Sequence, residues 1–206
     1  MSMKPHWEQV YAAKAAHSVS WFQECAACSL RLIHATGCGR EAAIIDVGGG
    51  ASTLIDDLLA EDYGRVSVLD ISSSALAAAQ RRMGERAGRA QWLEADILRA
   101  ELPSRHFDIW HDRAVFHFLV TPEARAAYLA AVAHAVKPGG HVIIATFAED
   151  GPEQCSGLPV VRYGAESLHA EFGAGFALLH HEREAHHTPF GTVQPFVYCH
   201  FRKLAP

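Results

Sequence analysis

Several large protein classes are marked by features this sequence lacks. Nowhere do about eighteen apolar residues run together, the length a helix needs to span a bilayer. The opening stretch, Met1-Ser2-Met3-Lys4-Pro5-His6-Trp7-Glu8, holds no apolar segment of the secretory type. There is no cluster of five or more Lys and Arg, and the formal net charge is -5. With a pI near 6.3, this balance argues against a nucleic-acid surface. Cysteines number five, an odd count, scattered at 25, 28, 38, 155 and 199. Reduced thiols explain that pattern more simply than a disulfide framework. The expectation is a cytoplasmic protein, monomer or homodimer, with no membrane or nucleic-acid partner. Internal repeats and long Pro/Gly/Ser linkers are also missing.

What remains is an ordinary globular composition over 206 residues, half hydrophobic and one fifth charged. That length suits one domain with a substantial core. The 14 histidines should move the net charge upward between about pH 7 and pH 6.

Helical material is expected over 5–15 and 23–36, then a break at Thr36-Gly37-Cys38-Gly39. Strands are predicted at 42–48, 65–71, 90–94, 107–111 and 141–147, with helices at 52–61, 74–87 and 122–136. Ser72-Ser73-Ser74 offers N-caps, Pro122 suits a first helical turn, and Lys137-Pro138-Gly139-Gly140 is a strong stop. A helix near 165–173 precedes segments 176–187 and 194–203, whose alternation suggests an antiparallel pair. The pattern of five β-α units and a hairpin predicts an α/β fold. It has a doubly wound, mostly parallel seven-stranded sheet, helices on both faces and an antiparallel C-terminal strand. One domain, 1–206, divides into a helical cap (1–36), a cofactor-binding core (40–147) and a substrate-side loop with terminal hairpin (148–206).

The densest signal is Ala43-Ile44-Ile45-Asp46-Val47-Gly48-Gly49-Gly50-Ala51-Ser52, followed by Val66-Ser67-Val68-Leu69-Asp70. An apolar strand ends in glycines that let backbone approach a ligand closely, and the next strand ends in a carboxylate able to accept ribose hydroxyls. A dinucleotide site wants a third glycine where Thr53 stands. Asp46, two residues before the first glycine, suits a cationic amino-acid head and would repel a phosphate.

These residues resemble the first motif of class I S-adenosylmethionine-dependent methyltransferases. The resemblance runs in order over about 40–147, through Asp70, Glu94-Ala95-Asp96-Ile97, Phe107-Asp108-Ile109-Trp110-His111-Asp112 and Lys137-Pro138-Gly139-Gly140. It implies the cofactor S-adenosyl-L-methionine and the product S-adenosyl-L-homocysteine. Gly48, Gly49 and Gly50 would pass under the methionyl part with Asp46 near its ammonium, and Asp70 would hold the ribose. Asp96 would accept from the adenine amino group, with Ile71 and Ile97 on the ring and Asp112 beside the sulfonium. Strand-end capping is the plainer alternative for Asp46 and Asp112. The segment from Trp7 through Tyr11 to Trp21 resembles a cap over the cofactor cleft; the same aromatics would also suit simple helix packing.

The expected reaction is methyl transfer to an O, N or S atom of a small-molecule acceptor. A protein lysine acceptor, a nicotinamide-dependent oxidoreductase and a non-catalytic cofactor-binding module are the alternatives. Asp112, His117 and Tyr11 are the catalytic candidates, with His117 either a proton acceptor or a buried structural histidine. Trp7, Trp21, Arg113, Cys155 and Tyr163 are candidates for the acceptor side. No metal is assigned. Cys25-x-x-Cys28 is half a zinc pattern inside a helical stretch, and neighbours within His180-His181 and His186-His187 point to opposite strand faces.

Overall fold

A computed structural model describes residues 3–13 and 18–205. Helix α1 (Lys4–Ala13) and helix α2 (Ala27–Ala35) precede the first strand, β1 (Ala43–Val47). The last two positions of the expected first helix lie outside the described residues. The second helix starts later than 23, so Cys25 is exposed ahead of it rather than on a core-facing helical turn.

The alternating core follows as α3 (Leu54–Ala60), β2 (Arg65–Asp70), α4 (Ser73–Met83), β3 (Ala90–Glu94) and β4 (Phe107–Arg113). Ser72 caps α4 by accepting from the Ala75 N–H at 3.2 Å. No α-helix joins β3 to β4, so one of the five expected β-α units is reduced to a loop. Beyond β4 lie α5 (Pro122–Ala135), capped by Thr121 with Pro122 in its first turn, and β5 (Val136–Phe147). The Lys137-Pro138-Gly139-Gly140 stop ends the helix, yet it lies within β5. The register against β4 shifts there between Phe107 and Ile109, which absorbs the turn. A small hairpin, β6 (Gln154–Cys155) and β7 (Leu158–Pro159), occupies the expected loop. Helix α6 (Ala165–Phe172) and strands β8 (Phe176–His187) and β9 (Val193–Lys203) complete the chain.

The seven strands run in the order β3-β2-β1-β4-β5-β9-β8, with β9 antiparallel to both β5 and β8. The chain reverses its winding direction between β1 and β4, so their carboxyl ends open a crevice suited to a ligand. Two cores form. One joins Ile44, Val66, Val68 and Ile109 to α2, α3 and α4. The other joins Trp110, Tyr128, Val132 and Ile144 to α5 and α6.

On that second face, the Trp110 indole N–H donates to Tyr128 Oη at 2.9 Å, and Tyr128 donates to Asp112 Oδ2 at 2.5 Å. Both ends are buried, so deleting the hydroxyl strands the Trp110 N–H and leaves Asp112 Oδ2 with the Phe116 N–H alone. Tyr128→Phe should cost about 1–3 kcal/mol of stability in urea unfolding. A change below about 0.5 kcal/mol, the range of a neutral surface substitution, would contradict this reading.

Candidate functional site

The site begins with glycines that have no room for a side chain. Gly48 sits at φ +71°, and a Cβ there would lie 2.0 Å from Val115 Cγ2. A Cβ on Gly49 would lie 2.4 Å from Asp46 Oδ2, and one on Gly50 would lie 2.4 Å from Asp70 Oδ2. The turn therefore packs directly against the two carboxylates that close β1 and β2. Both are buried, at 2% and 6% exposure. Among the described residues, Asp46 Oδ2 has no hydrogen-bond partner. Asp70 Oδ1 accepts from the Ser72 N–H at 2.8 Å. Burial, with Asp46 nearby, pushes the Asp70 carboxyl up to about 7.

Above these ends lies a cleft of about 920 Å³, solvent mouth included, with Asp70, Ile71, Asp96 and Ile97 along one side. Asp96 Oδ1 accepts from the Leu98 N–H at 3.1 Å. Trp7, Tyr11 and Trp21 form its roof. The Trp7 ring meets Trp21 and Phe118 edge-on at 5.7 and 5.2 Å. Trp21 Nε1 donates to Tyr11 Oη at 3.3 Å. Burial, with Asp70 nearby, raises the Tyr11 phenol well above its ordinary value, so it stays protonated and keeps a proton to donate while its oxygen accepts from Trp21.

The roof is latched from both ends of the crevice. Glu8 accepts from the Ser73 N–H at 2.7 Å, the Ser73 hydroxyl at 3.0 Å and the Ser74 N–H at 3.3 Å, at the start of α4. Those hydrogen bonds hold its carboxyl down at about 2. Lys4 pairs with Glu94 at the end of β3. The α4 N-terminus favours such a negative partner.

Four expected site residues are placed elsewhere or differently. Asp112 is fully buried and points to α5. Its oxygens accept from the Val115 and Phe116 N–H groups and from Tyr128, which leaves none for a ligand. His117 lies behind the cleft wall, where Nδ1 accepts from the Phe147 N–H at 3.3 Å. Burial lowers it to about 3, and a ring already accepting at Nδ1 carries its proton on Nε2. It is not a base for the cleft. Tyr163 packs against Phe116 in the α5–α6 core, with burial raising it to about 12. Arg113 reaches the cleft, but its guanidinium donates to Tyr198 Oη at 2.9 Å, to the Trp21 carbonyl at 3.1 Å and to Glu184 at 3.3 Å. It fastens the cap rather than offering a free cation to an acidic acceptor. Cys155 does line the cleft, as a neutral thiol that burial pushes up to about 12.

Sequence reasoning missed the apolar wall of Met3, Leu98, Val115, Phe118 and Leu119. It also missed His111 and Ser29 in a second recess beside the glycine turn. The described residues include no group of three His, Cys, Asp or Glu placed to hold a metal ion. No described helix is long and apolar enough to cross a membrane.

Strand order and crevice together define a Rossmann-like α/β protein of the class I methyltransferase architecture. Residues 44–140 match the family model described as methyltransferase domain. An uncharacterized methyltransferase of Mycobacterium tuberculosis is 36% identical over 108 residues, 50% of each chain. The chain thus spans about half the length of the curated relatives it matches. One solved structure, described as the conversion of a disulfide bond into a thioacetal group during echinomycin biosynthesis, aligns with TM-score 0.78 at 18% identity. The alignment covers 98% of this chain and 94% of that one. The 1,6-didemethyltoxoflavin-N1-methyltransferase of Burkholderia thailandensis, solved with S-adenosylhomocysteine, aligns with TM-score 0.67 at 22% identity, over 98% and 84%. At such identities the likeness is one of fold. Residues 44–140 are thus similar to a methyltransferase domain, on a fold shared with S-adenosylmethionine-dependent methyltransferases of known structure.

The Glu8 latch makes a direct prediction. Glu8→Gln should raise amide hydrogen exchange in residues 4–13 a few-fold, up to about tenfold, as a charged cap is lost. Unchanged exchange there would show that α1 is held by its aromatics alone.

Proposed function

We propose that this protein transfers the methyl group of S-adenosylmethionine to a small-molecule acceptor. One observation carries the reading. Asp70, buried at the end of β2 against the glycine turn, has no ion-pair partner among the described residues and faces a roofed cleft. Such a carboxylate wants hydrogen-bond donors, which vicinal ribose hydroxyls supply. The unpartnered Asp46 oxygen wants a cation or donor on the same side. Both fit the sulfonium cofactor, and neither fits a pyrophosphate.

The bound cofactor supplies an already activated methyl group. The protein's own share is then orientation and exclusion of water. Asp70 fixes the ribose, Asp96 accepts from the adenine amino group, and Ile71 and Ile97 sandwich the ring. Trp7, Trp21 and Phe118 dry the space above, and Tyr11 donates a hydrogen bond from the roof. With Asp112 and His117 turned away, the nucleophile is one that attacks without losing a proton to either.

The roof over the cleft favours a small acceptor over a lysine side chain on a folded protein. The 1,6-didemethyltoxoflavin-N1-methyltransferase among the neighbours holds bound 1,6-didemethyltoxoflavin, a small molecule, which supports the same class. Methyl-labelled cofactor incubated with O-, N- and S-nucleophile libraries should label small molecules. Labelling confined to added protein would refute the acceptor class.

Asp70 supplies a sharper test. Ribose donors bind its ionised form, while the free carboxyl titrates near 7, so binding releases a proton at and below that pH. Affinity for S-adenosylhomocysteine should therefore weaken as pH falls through about 7. Asp70→Asn should lower affinity about tenfold or more and abolish that slope. A variant with wild-type affinity and slope would remove Asp70 from the site.

A further inference from the structure

Beside the glycine turn, a recess smaller than the main cleft joins it through Tyr11, Trp21, Gly48 and Arg113. Its inner wall holds three polar side chains in series. Asp46 Oδ1 lies 2.7 Å from His111 Nδ1, and His111 Nε2 lies 2.8 Å from Ser29 Oγ. All three are buried, at 2%, 2% and 0% exposure. They come from three elements. Asp46 and His111 are register partners on β1 and β4, so their side chains leave the sheet on one face. Ser29 comes down from α2 to meet them.

A carboxylate oxygen can only accept, so His111 Nδ1 donates to Asp46, and Nε2 lies within hydrogen-bond distance of the Ser29 hydroxyl. The series continues outward. The Ser29 side chain hydrogen-bonds Tyr198, whose oxygen also accepts from Arg113 Nε at 2.9 Å, and Arg113 holds the Trp21 carbonyl. One carboxylate oxygen of Asp46 is thus fully engaged. The other, Oδ2, is unpartnered, buried and turned toward Gly49.

Resting on the methyl-transfer reading above, we propose that His111 and Ser29 are positioning residues. They hold Asp46 so that its free oxygen binds the ammonium of the cofactor's amino-acid end in this recess. The imidazole holds one carboxylate oxygen of Asp46 through a single hydrogen bond and leaves the other free. A single χ rotation of an untethered Asp46 would turn Oδ2 away from the recess. Because the series ends on the Trp21 carbonyl, the grip on the amino-acid end is also tied to the cap.

Two nucleosides separate this role from general damage. S-Adenosylhomocysteine has the amino-acid end, whereas 5′-methylthioadenosine keeps adenine, ribose and thioether but lacks it. In calorimetric titrations of the full chain, His111→Ala should weaken S-adenosylhomocysteine about tenfold and leave 5′-methylthioadenosine within about twofold. His111→Asn, whose amide can still donate to Asp46, should recover much of the loss. Ser29→Ala should fall between. Equal losses for both nucleosides, or unchanged S-adenosylhomocysteine affinity in folded His111→Ala and His111→Asn, would overturn the positioning role while leaving methyl transfer standing. A wild-type protein that binds neither nucleoside would overturn both.

Discussion

Asp46 and Asp70 end neighbouring parallel strands, both out of water, and the glycine turn passes within a Cβ's reach of each. Burying an ionised carboxylate is costly unless donors or a cation answer it. His111 answers one oxygen of Asp46, and the Ser72 N–H answers one of Asp70. The free Asp46 oxygen lies against Gly49, and Asp70 also takes a backbone hydrogen bond from Gly50. Everything around them follows from that constraint: glycines because no Cβ fits, a roof to keep water out, and latches to hold the roof. A ligand with vicinal hydroxyls and a positive charge relieves the cost at both ends.

The cap is part of the same arrangement. Glu8 satisfies the first N–H groups of α4, Lys4 reaches β3, and Arg113 grips the Trp21 carbonyl from β4. Two strand ends and one helix start are thus tied to one N-terminal segment. The cap's apolar face, Trp7 and Trp21, meets Phe118 from the loop after β4, so the aromatics dry the cleft and the polar contacts fix its height. Arg113 also lies over the Phe196 ring at 4.2 Å, which anchors this joint to the terminal hairpin.

The mostly parallel sheet and the glycine turn at the end of its first strand were legible because they rest on local signals. Continuous apolar strands, glycines at a strand end and Ser72 or Thr121 caps leave marks within a few residues. The acceptor side was legible only in part, since it depends on which way a strand's side chains point. On β4, His111 and Arg113 face the cap and Asp112 faces α5; a shift of one residue exchanges those roles. Asp112 was therefore misread as a cleft group, and His111 was overlooked beside it. His117 and Tyr163 failed for a related reason. His117 packs on Phe147 and Tyr163 on Phe116, partners distant in sequence.

The most direct test of the account is a pair of crystal soaks, one with S-adenosylhomocysteine and one with NADH. The account predicts density for S-adenosylhomocysteine alone, with ribose oxygens on Asp70 and the ammonium nitrogen near Asp46. A cleft filled by NADH, or S-adenosylhomocysteine bound away from both carboxylates, would contradict it.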